Sequence, residues 1–266
     1  MKVKTNGTTL NYEVEGPEGA PVILLSHGIA TRLDIWTEAS SQLRSKYRVI
    51  RYDSRGHGGS DPAPGGYTLE MLGEDAIGIM YALGVKKAQC GGLSLGGMTA
   101  IGLAVEHPER LLSAIVCDAR AQTNAEGNKA WQDRIDAVQA KGIEAIVEPS
   151  IQRWVAKSFL ADEPRKEKLR KIVRGTSVNG YVGSSIALQG LNYGNRLRTI
   201  RVPTLYLTGD EDQGASPATM QAMRDETPGS QYAEIPDSGH LSSLEQPKAV
   251  AAAIDKFISG LAAKAA

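Results

Sequence analysis

The feature that most constrains the fold is a repeated alternation between short apolar runs and amphipathic helical segments. Runs of Val, Ile and Leu without polar alternation are typical of strands buried on both faces, and they lie at 21–27, 47–53, 86–92, 111–118 and 203–209. The clearest helix is predicted over 68–85, where apolar residues recur at helical spacing and Gly84 marks the end. This alternation predicts an α/β fold with a mostly parallel sheet flanked by helices.

The alternation stops between residues 121 and 199. This stretch is helical in character, and no strand-like run interrupts it. A helical insertion between two strands of a parallel sheet is expected over the carboxyl ends of the strands, where ligands bind in such sheets. We therefore predict a core formed by residues 1–120 and 200–266 and a helical cap formed by residues 121–199. The alternative is that these helices only pack on the core.

Composition limits the class of protein. The 266 residues suit one large α/β domain or two small ones, and 30 Lys and Arg balance 30 Asp and Glu. A neutral balance argues against nucleic acid or an anionic membrane as partner. The first residues lack the apolar core of a signal peptide, and no apolar run is long enough to span a bilayer. We expect a cytoplasmic protein, and its oligomeric state stays open.

The histidines and cysteines are too scattered to predict a metal site, and no cofactor is expected. Both cysteines, Cys90 and Cys117, lie in apolar strand-like runs. Buried free thiols are therefore favoured over a disulfide.

Residues 90–98, Cys-Gly-Gly-Leu-Ser-Leu-Gly-Gly-Met, surround Ser94 with four glycines. The segment follows the predicted strand at 86–92 and precedes a predicted helix at 96–107. In this context, G-x-S-x-G predicts a nucleophile elbow, in which a strained serine is flanked by glycines because a Cβ would clash there. The amino terminus of the helix would stabilise a developing oxyanion. The alternative is a glycine-rich packing turn with no chemistry.

A serine nucleophile needs a base. Of the four histidines, only His240 lies far downstream, on a loop before the last helix. This position agrees with the order serine, acid, histidine that accompanies such elbows, and it makes an ordinary surface histidine the less favoured interpretation. Ser242 and Glu245 have the spacing of a capping box, which predicts where the next helix begins.

The acid that would orient the base is open from the residues alone. Asp210, Glu211 and Asp212 all follow the strand at 203–209, and Asp118 ends the strand at 111–118. Any of the four could instead be a solvated surface acid.

Two backbone amides are expected to bind the oxyanion. One is the amide of Leu95, directly after the serine, and the other is the amide of Ile29, on the loop after the strand at 21–27. His27 precedes this loop and is expected to be structural, because it lies in the wrong chain order to be the base.

Four motifs in this order resemble the α/β-hydrolase superfamily over nearly the whole chain. They are His27-Gly28, the run Asp-Ser-Arg-Gly-His-Gly-Gly-Ser at 53–60, Gly-Leu-Ser-Leu-Gly-Gly at 92–97, and Gly239-His240. The resemblance implies a hydrolase with the α/β-hydrolase fold. The family's Gly-x-x-Asp motif matches residues 209–212 and implies Asp212 as the acid.

More narrowly, the chain is similar to the 3-oxoadipate enol-lactonases and their relatives. The similarity rests on 92–98, on Trp-Gln-Asp-Arg-Ile-Asp-Ala-Val at 131–138, on Gly180-Tyr181, and on 239–242 with 244–247. It implies hydrolysis of a small carboxylic ester or lactone by a Ser94–His240–Asp212 triad through an acyl-enzyme. The chain departs from the family at 26–30, and uncharged residues occupy 189–190 and 192–194, where the family often has charges.

Substrate contacts are expected from the cap. Trp131 and Trp154 would line an apolar pocket, or they form the core of the cap. A lactone of this family bears a carboxylate, for which Arg134, Arg153 and Lys157 are candidate partners. The alternative for each cation is that it faces water.

Other functions compete with a lactonase. A carboxylesterase or a C–C bond hydrolase would use the same triad, and a ligand receptor on this fold would capture a small molecule with little turnover. Haloalkane dehalogenases and epoxide hydrolases are disfavoured, because they have an aspartate at the position of Ser94.

Overall fold

The structure is a computed structural model and describes residues 1–265. Its strands are β1 (Lys2–Thr5), β2 (Thr8–Glu15), β3 (Val22–Ser26), β4 (Arg48–Tyr52), β5 (Ala88–Leu93), β6 (Leu111–Cys117), β7 (Thr204–Gly209) and β8 (Gln231–Ile235). Its helices are α1 (Thr37–Leu43), α2 (Leu69–Ala82), α3 (Leu95–Glu106), α4 (Ala125–Lys141), α5 (Glu144–Trp154), α6 (Lys157–Leu160), α7 (Glu163–Arg174), α8 (Val178–Gln189), α9 (Pro217–Glu226), α10 (Ser242–Glu245) and α11 (Pro247–Ala265).

The strands form one eight-stranded sheet in the order β1-β2-β4-β3-β5-β6-β7-β8. From β4 to β8 neighbouring strands are parallel, while β1 and β2 join the edge as antiparallel strands. Every residue of β5 and β7 is buried, which explains their lack of polar alternation. The predicted fold class is confirmed, and the antiparallel pair β1 and β2 was not predicted.

The strand order reverses between β3 and β5. These two strands are neighbours, with Ser26 opposite Gly92, but the chain leaves β3 towards β4 and leaves β5 towards β6. Connections that depart in opposite directions open a crevice at the carboxyl ends of the strands. The loop after β3 and the turn after β5 therefore meet at this crevice.

Helices α4 to α8 lie between β6 and β7, within the predicted insertion of residues 121–199. The two ends of this insertion are joined, since Tyr193 donates its N–H to the carbonyl of Ala121 at 2.7 Å and Thr123 donates to Leu191 at 3.0 Å. The insertion thus leaves and re-enters the sheet at one place. The predicted core segment 200–266 ends on Ala266, which lies outside the described residues.

Both cysteines are buried free thiols, as predicted. Among the helices of residues 1–265, none combines the length and apolar character needed to cross a bilayer.

Candidate active site

Ser94 occupies a strained turn between β5 and α3. Its backbone has φ +54° and ψ −111°, in a region that residues with a side chain rarely adopt. Its N–H donates to the carbonyl of Cys117 at the end of β6, at 2.8 Å. This bond to a neighbouring strand helps hold the strained conformation, which is typical of functional sites.

The flanking glycines are required by close backbone approach. A Cβ on Gly92 would lie 2.5 Å from the carbonyl carbon of Gly96, and a Cβ on Gly96 would lie 2.7 Å from that of Ser26. Such distances are too short for real carbon contacts, so any larger residue would push α3 away from β3 and β5. The glycines therefore let helix and strands approach closely and expose Ser94 at the turn.

Three side chains from distant parts of the chain meet at this turn. The Oγ of Ser94 lies 2.9 Å from Nε2 of His240, and Nδ1 of His240 lies 2.8 Å from Oδ2 of Asp212. A carboxylate only accepts hydrogen bonds, so Nδ1 carries the proton and Nε2 presents its lone pair to the hydroxyl of Ser94. The arrangement can therefore remove a proton from Ser94.

Of the four candidate acids, Asp212 is the one that contacts the imidazole. Asp210 accepts the N–H of Ser238 at 3.1 Å, and Glu211 accepts that of Lys157 at 3.4 Å. Asp118 is buried and accepts the N–H of Gly209 at 3.0 Å. Among these four acids, the geometry therefore favours Asp212 as the group that orients His240.

Burial and charge oppose each other in the acid and the base. Burial favours the neutral carboxyl of Asp212, but the charge of His240, its hydrogen bond and the amides of Ala215 and Gly214 outweigh burial and leave the pKa of Asp212 lowered. Burial also favours the neutral imidazole of His240, but the Asp212 carboxylate outweighs it and leaves that pKa raised. The pair is arranged to stabilise an imidazolium.

The loop that carries His240 is held by a buried carboxylate. Oε1 of Glu245 accepts the N–H groups of Gly239 and Leu241, both at 3.1 Å, and Oε2 accepts that of Ala156 at 2.7 Å. The capping box predicted the start of the last helix at Ser242, but residues 242–245 form the separate short helix α10 with Leu241 at its N-cap, and the last helix, α11, begins at Pro247. The hydroxyl of Ser242 donates to Asp118 and caps no helix. The capping-box prediction was therefore wrong both for the start of the last helix and for its hydrogen bonds.

The two predicted oxyanion donors flank Ser94. Leu95 is the first residue of α3, and Gly28, next to Ile29, is so close that its Cβ would lie 3.4 Å from that of Ser94. Within residues 1–265, neither the Ile29 nor the Leu95 N–H donates to another group of the protein. Both donors are thus free for a ligand oxygen.

Two buried histidines position the loop that carries Ile29. His57 accepts the N–H of Ala30 at 3.1 Å, and His27 accepts that of Ser54 at 2.9 Å, each through Nε2. Burial lowers the pKa of both imidazoles, to about 3 for His57, so they are neutral acceptors. The role of His57 was not predicted, and its place in the His-Gly-Gly run at 57–59 was the available signal.

A cavity of about 380 Å³ opens above Ser94 and His240. Its wall includes Trp131, Arg134 and Trp154, the three predicted substrate contacts, and also Arg153. Lys157, the other candidate cation, is exposed and lies outside the lining. The insertion therefore supplies aromatic and cationic side chains to the same cavity as the serine.

The cations of this cavity stack on its aromatic rings. The guanidinium carbon of Arg134 lies 4.6 Å from the centre of the Trp131 ring, and that of Arg153 lies 5.9 Å from the Trp154 ring. Across the described residues, neither arginine forms an ion pair. Burial and the neighbouring charge of Arg134 lower the pKa of Arg153 to about 10, so Arg153 stays charged at neutral pH. This geometry suits an anionic ligand.

In the described part of the chain, no group of three or more His, Cys, Asp or Glu side chains is arranged to hold a metal ion.

The family of the chain follows from comparison with known proteins. Residues 21–247 match the model of the alpha/beta hydrolase fold family, and the chain belongs to this family. The match confirms the predicted α/β-hydrolase class.

Individual relatives are more specific. A 3-oxoadipate enol-lactonase of Acinetobacter baylyi is 32% identical over 98% of this chain and 97% of its own length. The enol-lactonase of Burkholderia xenovorans LB400 is 30% identical, with a TM-score of 0.93 over 97% of this chain and all (100%) of that chain. A thermophilic esterase of Thermogutta terrifontis, solved with malate bound, is 31% identical with a TM-score of 0.93 over 98% and 99% of the two chains. These relatives support the prediction of an enzyme that acts on ester bonds.

Proposed function

We propose that the protein hydrolyses a small carboxylic ester or lactone that carries a negative charge, as a lactonase of the 3-oxoadipate enol-lactonase type. The observation that carries this proposal is the continuous Ser94–His240–Asp212 hydrogen-bond chain, with Ser94 facing a cavity that contains unpaired arginines. The enol-lactonase and esterase relatives support it.

Acylation starts with attack of the Ser94 Oγ on the substrate carbonyl carbon. His240 takes the hydroxyl proton through Nε2, and Asp212 stabilises the resulting imidazolium. The amides of Ile29 and Leu95 bind the oxyanion, and one such donor typically lowers the barrier by roughly 3 kcal/mol. The tetrahedral intermediate collapses when the bond to the leaving oxygen breaks and His240 returns the proton to that oxygen.

In a lactone the leaving oxygen stays attached to the acyl group, so ring opening releases no first product. An enol oxygen leaves as an enol, which tautomerises to a ketone and removes the nucleophile that could close the ring again. Water then attacks the acyl-enzyme, with His240 as general base, and the carboxylate product and free Ser94 are formed.

The negative charge of the substrate is inferred from the cavity. A cation held away from water needs a partner, and neither Arg134 nor Arg153 has one within residues 1–265. Malate, the ligand of the Thermogutta esterase structure, is a dicarboxylate. The uncharged Gln189, at a position where the enol-lactonases often have a charge, bonds within the insertion instead, at 3.2 Å to the carbonyl of Asn128. In this proposal the two arginines replace that charge.

We assign residues 121–199 the role of a cap over a core formed by the rest of the chain. Trp131 and Trp154 of this segment would hold the apolar part of the substrate. The backbone of Trp154 also accepts the N–H of His240 at 2.5 Å, which links the segment directly to the base.

The test is a substrate panel with wild type and Ser94→Ala. The panel contains an enol-lactone with a carboxylate, p-nitrophenyl acetate and a ring-cleaved dienol acid. We expect turnover of the enol-lactone by wild type and its loss in Ser94→Ala, with a circular dichroism spectrum like that of wild type. Ser41→Ala, on an exposed face of α1, is the matched control and should keep full activity.

The other functions predict different results. Efficient hydrolysis of p-nitrophenyl acetate without lactone turnover would indicate a carboxylesterase, for which the esterase relative is the supporting observation. Turnover of the dienol acid would indicate a C–C bond hydrolase. A single stoichiometric burst would indicate a receptor. Near wild-type activity in Ser94→Ala would refute the nucleophile.

A further inference from the structure

The end of β6 contacts all three segments that carry the proposed triad. The carbonyl of Cys117 accepts the N–H of Ser94, as described above. The next residue, Asp118, is fully buried, and its side chain bonds the two other segments. No step of the proposed reaction uses this carboxyl group.

Asp118 joins the acid segment to the base segment. Its Oδ1 accepts the N–H of Gly209, three residues before Asp212, at 3.0 Å. Its Oδ2 bonds the hydroxyl of Ser242, two residues after His240. Asp118 thus links the two segments, and its side chain bonds Gly209 and Ser242 rather than Asp212 or His240 themselves.

The backbone of Asp118 is built for this position. It has φ +49°, a left-handed conformation that Asp and Asn tolerate better than most residues with a side chain. The amide of Asp118 continues the sheet, with its N–H bonded to the carbonyl of Leu207 at 2.9 Å. The left-handed turn then directs the side chain between β7 and α10.

We propose that Asp118 is a positioning residue, whose two hydrogen bonds set the distance between Asp212 and His240. The proposal rests on the triad assigned under "Proposed function". Because a displacement of about 1 Å in an active site can cost on the order of 100-fold in rate, the loss of this link should appear in kcat.

The charges around Asp118 agree with a positioning role rather than a second acid. Burial, followed by the charge of Asp212, raises the pKa of Asp118 to about 8, while His240 and the bonds from Ser242 and Gly209 act in the opposite direction. A raised pKa reduces the negative charge beside Asp212, while the carboxyl group still accepts the N–H of Gly209 and the hydroxyl of Ser242.

The experiment compares Asp118→Gly with Asp118→Asn on the enol-lactone or ester that wild type turns over. Glycine accepts the left-handed backbone and deletes both bonds. We expect kcat to fall at least about 10-fold with KM within about 3-fold of wild type. Asparagine can accept from Gly209 through Oδ1 and donate through Nδ2 to the oxygen of Ser242, whose hydroxyl can turn to accept, so we expect it to restore kcat to within about 3-fold of wild type.

Ser113→Ala is the matched control for stability. Ser113 is buried at the opposite end of the same strand, where its hydroxyl bonds Gln89, and it contacts no triad segment. Its kcat should stay at the wild-type value whatever its melting temperature. Ser242→Ala removes one of the two Asp118 bonds and should lower kcat by at least about 3-fold, which keeps the test decisive if Asp118→Gly does not fold.

Three results would overturn the proposal. The first is a wild-type kcat in Asp118→Gly or, if that variant does not fold, in Ser242→Ala. The second is an Asp118→Asn variant that is as impaired as Asp118→Gly. The third is a loss of kcat in Ser113→Ala that matches its loss of stability. Activity that survives in Ser94→Ala would instead refute the proposed function. The two failures are therefore distinguishable.

Discussion

Replacement of Arg153 by Met should weaken the preference for an anionic substrate that we propose for this cavity. The Arg153 guanidinium lines the cavity above Ser94 and stacks on Trp154, and Met keeps much of its length and apolar contact. The perturbation is therefore a loss of charge with little loss of volume.

The size of the effect follows from the cost of holding this cation. The pKa of Arg153 is about 10, against 12.5 for an ordinary guanidinium. Since one pKa unit corresponds to about 1.4 kcal/mol, this environment disfavours the charge by about 3 kcal/mol, which is an upper limit because the side chain is only half-buried. A substrate carboxylate can recover part of this cost, and a hydrogen bond between charged groups contributes about 1.5–3 kcal/mol.

The assay follows release of p-nitrophenolate from p-nitrophenyl succinate, which is anionic, and from p-nitrophenyl acetate, which is neutral. In Arg153→Met, kcat/KM for the anionic ester should fall roughly 10- to 100-fold, while the neutral ester should change less than about 3-fold. Arg174→Met is the control, because Arg174 pairs with Glu144 on the surface at 2.8 Å and lies outside the cavity. An equal change for both esters, or no change for the anionic one, would refute the reasoning.

Three further predictions concern the base, the elbow and a buried histidine. Because the pKa of His240 is raised above 6.5, the acid limb of the pH profile of kcat/KM should have its midpoint above pH 6.5. Asp212→Asn should move this midpoint to lower pH and reduce kcat by roughly 10⁴-fold. An unchanged midpoint would contradict the pairing of Asp212 with His240. Gly92→Ala would place a Cβ 2.5 Å from Gly96, so it should lower the melting temperature and reduce kcat by about 10-fold or more. Gly73→Ala is the control and should keep full activity, because its nearest contact would lie at 3.5 Å. Equal activities of the two variants would show that the close approach at Gly92 is unimportant. His57 has a pKa of about 3 in the folded protein and about 6.5 when unfolded, so the unfolded state binds this proton first as the pH drops. The free energy of unfolding should therefore fall between pH 6.5 and pH 3, by about 1.4 kcal/mol per pH unit. Urea unfolding of His57→Gln should show a shallower pH dependence, and identical slopes would rule this histidine out as the cause.

The sequence by itself determined the architecture, because its signals are local. Apolar runs predicted five of the eight strands of the sheet to within about two residues. The edge strands β1 and β2 were not predicted, since their half-buried residues form no comparable apolar run. Glycines that surround a serine between strand and helix likewise report a tight turn directly, because only a missing Cβ permits that contact.

Only the tertiary structure decided which groups meet. Four acids competed to orient His240, and the choice depends on one 2.8 Å contact that no spacing along the chain encodes. The same holds for Arg134 and Arg153, which reach one cavity from two separate helices. It also holds for Asp118, a candidate acid in the sequence, whose side chain instead bonds the backbone of Gly209. A local pattern states what each residue can do, but hydrogen bonds and charge interactions act over a few ångströms, and the packing of distant segments alone brings groups within that range.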